Sequence, residues 1–198
     1  MKPSPKVLFS EAQIASRLAE LGSQIASHYP DRELTVVGLM KSCFIFMADL
    51  VRRIPVDLSM HMVRVRSERD GEGGTARTEI VYTTNVPYEG RDILLLDDIV
   101  DTGITLNFLL DHIREHKPRS LRVCALIDKP GERKIDVHPD WAAFTLREPM
   151  GDEFLVGYGL DHAEHYRGLP YIGTITRPQR APEGRTIGIS RGGAGKGT

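Results

Sequence analysis

Apolar residues recur along this chain with two periods. Ile14, Leu18, Leu21 and Ile25 fall at helical spacing, closed by Pro30, and Ser10 with Gln13 three residues on has the spacing of a capping box. Leu34 to Met40 is a short β-branched run that predicts a buried strand. Phe44, Met47, Leu50 and Val51 restore helical spacing over 43–53. From Pro55 to Val65 apolar positions alternate with Asp57, Ser59 and His61, which predicts a strand with one polar face. Residues 66–78 contain no apolar side chain larger than Ala76 and predict a long polar loop. Strand-like runs follow at 79–84, 92–96 and 121–127, with a helical run at 105–116 between the last two. Weaker strands near 142–146, 154–158 and 171–175 read as an addition to one end of the sheet.

Strands separated by helices predict an α/β fold with a parallel core sheet flanked by helices. The length of 198 residues allows one domain, here 1–176, and the composition then changes. Residues 177–198 hold six Gly and five Lys or Arg against one acid, a net charge of +4 against −5 for the rest, and read as a basic, mobile tail. Formal net charge is −1, which argues against a general nucleic-acid binder. Two cysteines, Cys43 and Cys124, exclude a disulfide scaffold and a four-cysteine zinc site. No run approaches the ~18 apolar residues of a membrane span, and the start of the chain shows no apolar signal region, so the expected location is the cytoplasm.

Chemistry concentrates in Ile93-Leu94-Leu95-Leu96-Asp97-Asp98-Ile99-Val100-Asp101-Thr102-Gly103-Ile104-Thr105. Four apolar residues make a buried strand, acids and threonines follow, and a helix begins. Ligands of open α/β sheets bind at the carboxyl ends of strands. The turn Asp101 to Thr105 gathers backbone N–H groups, two hydroxyls and a helix start around one point, which suits a phosphate. Gly103 permits close backbone approach. Asp97 and Asp98 suit two sugar hydroxyls, or a metal bridging to them. A carboxylate at Asp101 would repel the phosphate, so it must point elsewhere, at a base or a proton in flight. Two other signals carry less. Gly192 to Thr198 lacks the spacing of a nucleotide-binding loop, and His162-Ala163-Glu164-His165 lacks zincin spacing and a third ligand.

The Asp97–Thr105 segment resembles the phosphoribosyl-diphosphate (PRPP) signature of type I phosphoribosyltransferases, with the hypoxanthine-guanine branch the nearest match. Three further segments resemble that branch in order: Gly38 to Ser42 with the following helix, Leu126-Ile127-Asp128-Lys129-Pro130, and Phe154 to Asp161 with Tyr166-Arg167. The resemblance covers about residues 10–176. It implies a core sheet with a small hood built from the chain ends, and transfer of ribose 5-phosphate from PRPP to hypoxanthine or guanine with release of diphosphate. It implies Thr102, Gly103, Ile104 and Thr105 at the 5-phosphate, Asp97 and Asp98 at the ribose hydroxyls, and Asp101 as the catalytic acid–base. It implies Lys129 at the 6-oxo group, Phe154 stacked on the base, and Leu155 reading the base edge through its backbone. Lys41, Ser42 and Arg167 would bind the diphosphate, and Asp161, with Asp97 and Asp98, would associate with Mg²⁺. A homodimer or homotetramer is implied too, with helix 43–53 as a contact face.

Four departures stand out. Asp97 replaces a frequent Glu, Ser42 a Gly, Ile104 a frequent Lys, and Ser67-Glu68 the Ser-Tyr that opens the family's lid. Those at Ser42 and Glu68 keep open a transferase for another base such as xanthine. A PRPP-sensing regulator on the same fold is the other alternative, although the body is acidic and keeps Lys129 and Phe154.

Overall fold

The computed structural model describes residues 4–69, 76–82 and 85–176. The chain runs β1 (Lys6–Phe9), α1 (Glu11–His28), β2 (Leu34–Leu39), α2 (Phe44–Val51), β3 (Leu58–Arg69), β4 (Ala76–Tyr82), β5 (Asp92–Val100), α3 (Ile104–Glu115), β6 (Ser120–Asp128), a 3₁₀ turn at Pro130–Glu132, β7 (Trp141–Thr145), β8 (Glu153–Val156) and β9 (Ile172–Thr176). Six strands form the core sheet in the order β4-β3-β2-β5-β6-β7. All its neighbours are parallel except β3 and β4. A separate sheet, β1-β9-β8, forms the hood.

The central strands read as apolar runs because both faces of the sheet are covered. Period-two alternation then divides each strand between two cores. Val36, Leu94, Leu96, Cys124 and Leu126 pack on the side of α1 and α2, beneath Ile14, Leu18, Leu21, Ile25 and Phe46. Val37, Ile93, Leu95, Val123 and Ala125 pack on the other side against Leu106, Leu109, Leu110 and Ile113 of α3. The capping box forms as the spacing predicts: Gln13 N–H donates to Ser10 Oγ and Ser10 N–H to Gln13 Oε1. Cys43 and Cys124 are buried free thiols.

Several boundaries differ from the sequence reading. The polar loop expected at 66–78 is largely strand: β3 runs on to Arg69 and pairs antiparallel with β4 from Ala76, Arg66 facing Glu79 and Glu68 facing Arg77 in the register. A hairpin at the sheet margin is held by its backbone ladder and needs no apolar alternation. Residues 70–75 and 83–84, the side chains at Ser67 and Glu68, and the tail at 177–198 lie outside the described residues. β5 continues through Asp97 and Asp98 to Val100, because β6 keeps pairing it: Asp97 faces Ala125, Ile99 faces Ile127 and Val100 faces Asp128. β7 is not an addition but a parallel strand of the core sheet. Strand β1 has no counterpart in the sequence reading.

Candidate active site

The site lies at the carboxyl ends of β2, β5 and β6, where the hood comes down over them. At its centre is the turn between β5 and α3. Gly103 precedes the helix with φ of +81° and has no side chain to cap it, and Thr102 Oγ1 accepts from Ile104 N–H at 3.5 Å. A Cβ at Gly103 would meet Val137 Cγ1 at 2.6 Å and Ile135 O at 3.1 Å, so glycine is required by both conformation and space. Asn107 N–H makes the first helical bond back to Gly103 O, at 2.9 Å, so the earlier N–H groups of α3 lack intrahelical partners. The turn is fastened from behind. Lys134 N–H and Ile135 N–H donate to Thr102 O at 3.0 and 3.2 Å, and Arg133 Nη1 donates to Asp101 O at 2.5 Å. Arg133 Nη2 pairs with Asp128 at the end of β6.

The turn borders a cavity of about 140 Å³ lined by Leu39, Asp97, Asp98, Asp101, Gly103 and Thr105. Ile104 faces outward and is exposed. Asp97 and Asp98 lie on the cavity floor, and Asp98 N–H donates to Asp97 Oδ1 at 2.9 Å. Burial pushes the Asp97 carboxyl well above the usual carboxylate range, and the neighbouring charge of Asp98 adds to the rise. Burial raises Asp98 too, opposed by hydrogen bonds that include one with Ser42.

A second cavity, about 440 Å³, adjoins the first and is lined by Lys129, Phe154, Leu155, Asp161, Ile99 and Asp101. Asp101 and Ile99 therefore form the partition between the two cavities. Asp101 Oδ1 accepts from Thr102 N–H at 2.5 Å. Lys129 N–H donates to Val100 O at 2.9 Å, which fixes the lysine at the strand end. Its Nζ lies 3.7 Å from Glu132. Phe154 and Leu155 come from hood strand β8, and the Phe154 ring meets His162 with centroids 5.1 Å apart.

The third part of the site is ionic. Lys41 follows a cis peptide at Met40–Lys41 and its Nζ lies 3.0 Å from Glu164 Oε1. Arg167 donates to Ser42 Oγ at 3.0 Å and to Gly159 O at 2.9 Å, and pairs with Asp161 at 2.9 Å and Glu164 at 3.2 Å. Gly159, with φ of +96°, lies so close to Ser42 that a Cβ there would be 2.2 Å from Ser42 O. Ser42 thus joins Arg167 to Asp98 and ties the ionic part to the acid pair. Among the described residues no three His, Cys, Asp or Glu are grouped to hold a metal. Asp97 and Asp98 line the first cavity and Asp161 the second.

Of the residues the resemblance assigns to the site, all border these cavities or this ionic cluster except Thr102, whose carbonyl is held from behind, and the outward-facing Ile104. The phosphoribosyl transferase domain matches residues 7–163. The chain is 39% identical to the hypoxanthine-guanine phosphoribosyltransferase of Bacillus subtilis over 86% of its length and 92% of that protein. It belongs to the hypoxanthine-guanine phosphoribosyltransferase family. A crystal structure of a hypoxanthine-guanine phosphoribosyltransferase from Bacillus anthracis superposes with a TM-score of 0.78 at 35% identity, covering 88% of this chain and 100% of that one. The Bifunctional protein TilS/HprT of Listeria monocytogenes is 39% identical over 88% of this chain, which spans only 26% of that longer protein.

Two residues of the site escaped the sequence reading. Arg133 lies in an aperiodic stretch, and its fourth place after Lys129 gives no sign that it reaches back to Asp101 and Asp128. Glu164 was weighed only within the His162–His165 metal motif. The signal that could have found it is its position three residues before Arg167 and three after Asp161.

Proposed function

We propose that this chain transfers the 5-phosphoribosyl group of PRPP to hypoxanthine or guanine, releasing diphosphate and forming IMP or GMP. The observation that carries the reading is the partition at Asp101, with an anion-binding turn on one side and a cavity holding Lys129 and Phe154 on the other. The 5-phosphate takes the N–H groups of Gly103 to Thr105 and the hydroxyls of Thr102 and Thr105, while Thr102 N–H stays on Asp101 Oδ1. Asp97 and Asp98 accept from the two ribose hydroxyls. In the second cavity Lys129, a donor with no acceptor capacity, faces the 6-oxo group and finds no partner in a 6-amino purine. Phe154 stacks on the ring and Leu155 offers its backbone to the base edge.

In the reaction the bond from the sugar's anomeric carbon to diphosphate breaks, its electron pair leaving on the diphosphate oxygen. The purine nitrogen supplies the electrons of the new bond, and its proton passes to Asp101. Lys41 and Arg167 hold the departing diphosphate by charge. Mg²⁺ is part of the proposal. Asp97, Asp98 and Asp161 are hard oxygen donors that form no closed protein cage, the kind of set suited to an ion that keeps water and substrate oxygens as ligands. Bound there, the ion would neutralise charge developing on the diphosphate. We further place the protein in the cytoplasm as a homodimer or homotetramer without nucleic-acid or membrane partners. Its two free cysteines support the location, and exposed Phe44 at the start of α2 supports self-association.

A panel of hypoxanthine, guanine, xanthine and adenine with PRPP and Mg²⁺, followed by diphosphate release, tests this. Hypoxanthine or guanine should turn over, with adenine slower by ~10²-fold or more. Lys129→Ala should shrink that preference by about tenfold. Equal use of adenine by the unaltered protein would defeat the assignment of Lys129.

A further inference from the structure

The two cations assigned to the diphosphate already share an anion. Glu164 gives one carboxylate oxygen to Lys41 at 3.0 Å and the other to Arg167 at 3.2 Å. The chain is shaped to present it. Residues 162 to 165 form a tight turn closed by His162 N–H to His165 O at 3.2 Å and the reciprocal bond at 3.1 Å. Ala163 and Glu164 at its tip have φ of +51° and +63°, and Glu164 N–H donates to Asp161 Oδ2 at 2.8 Å. The Glu164 side chain is nonetheless 65% exposed and that of Lys41 48%. A carboxylate held by two cations at its oxygens, with water on its remaining side, is placed to be exchanged for a more highly charged anion.

We propose that Glu164 is an internal placeholder for diphosphate. Its carboxylate bridges Lys41 and Arg167 and is displaced when a diphosphate group enters. This rests on the transferase reading, which places diphosphate on those two cations. The placeholder has two effects. It keeps Lys41 and Arg167 converged on one point despite their mutual repulsion, and it competes with the ligand, so that binding is weakened and release of the product diphosphate is quickened. Asp161, which also pairs with Arg167, keeps that arginine anchored after Glu164 leaves.

Titration of inorganic diphosphate with Mg²⁺ into the full chain, followed by calorimetry, tests the proposal. In Glu164→Gln and in Glu164→Ala the Kd for diphosphate should fall by about 3- to 10-fold, the range set by one or two exposed ion pairs. KM for PRPP should fall with it, while KM for hypoxanthine stays within about twofold. Inorganic phosphate, which addresses the turn before α3, should bind as before. Unchanged or weaker diphosphate binding would overturn the proposal by showing that Glu164 only orders its cations. So would an equal gain for inorganic phosphate, which would reduce the effect to loss of one surface charge. The diphosphate titration needs no turnover and the purine panel does, so this proposal and the transferase reading fail separately.

Discussion

Strand β5 carries one buried carboxylate at its first residue and another toward its carboxyl end, and the two are treated in opposite ways. At the start Asp92 is fully buried yet saturated. Arg119 Nε donates to it at 3.0 Å and Ser120 Oγ at 2.6 Å, and Arg32 stands 3.7 Å away. The Arg119 guanidinium holds its carboxyl below the usual range. Five residues on, Asp97 is almost as deeply buried, but its partners are the N–H and the carboxyl of Asp98, another acid, and burial pushes its carboxyl up. The first end is neutralised by partners within the fold and serves stability. The second is left short of partners, which costs stability and keeps acceptors free for a ligand.

Three substitutions probe this contrast, in order of falling effect. Asp101→Asn, at the functional end, should lower kcat by ~10²-fold or more, equivalent to ~2.7 kcal/mol, while PRPP binding and Tm are retained. Single-turnover kinetics with a direct PRPP titration checks it, and unchanged turnover removes Asp101 from the mechanism. Asp92→Ala, at the opposite end, should do the reverse: stability falls by about 2 kcal/mol in urea unfolding with kcat intact. That loss should be present near neutral pH and fade as pH drops through Asp92's lowered native value, where its carboxylate is protonated in the folded and unfolded states alike. Asp97→Asn should raise Tm at pH 7 by about 2–4 °C, the change ~1 kcal/mol makes in a chain of this size. Asp97 binds its proton more tightly when folded, so its ionisation costs stability as pH rises above the unfolded value of ~3.9. The gain from asparagine should therefore vanish toward pH 4. A lower Tm at pH 7 would mean that Asp97 is satisfied in the native state and would erase the contrast.

What could be read from the sequence follows the same division between local and distant. Ser10 with Gln13, the helical spacing of Ile14 to Ile25 and the apolar run of β5 are local patterns, and each appears in the structure as an element of the expected kind. The acids and threonines from Asp97 to Thr105 were legible because one segment supplies the floor, partition and turn of a cavity. Strand β1 was not, since Lys6–Phe9 is short, largely exposed and paired with residues near 173. Both strands of the β3–β4 hairpin were legible in part, but their extension beyond Val65 and before Glu79 was hidden because backbone pairing leaves no apolar trace. Arg133 and Glu164 act through contacts whose partners the fold alone brings near.

The fastening of the turn before α3 has a consequence for speed. Three donors from residues 133 to 135 hold the carbonyls of Asp101 and Thr102, so the conformational entropy of that loop is given up once, when the chain folds. A phosphate arriving there has no segment to immobilise and loses little beyond its own freedom of movement. Capture at this corner should run close to the rate of encounter, leaving any slow rearrangement to other parts of the molecule.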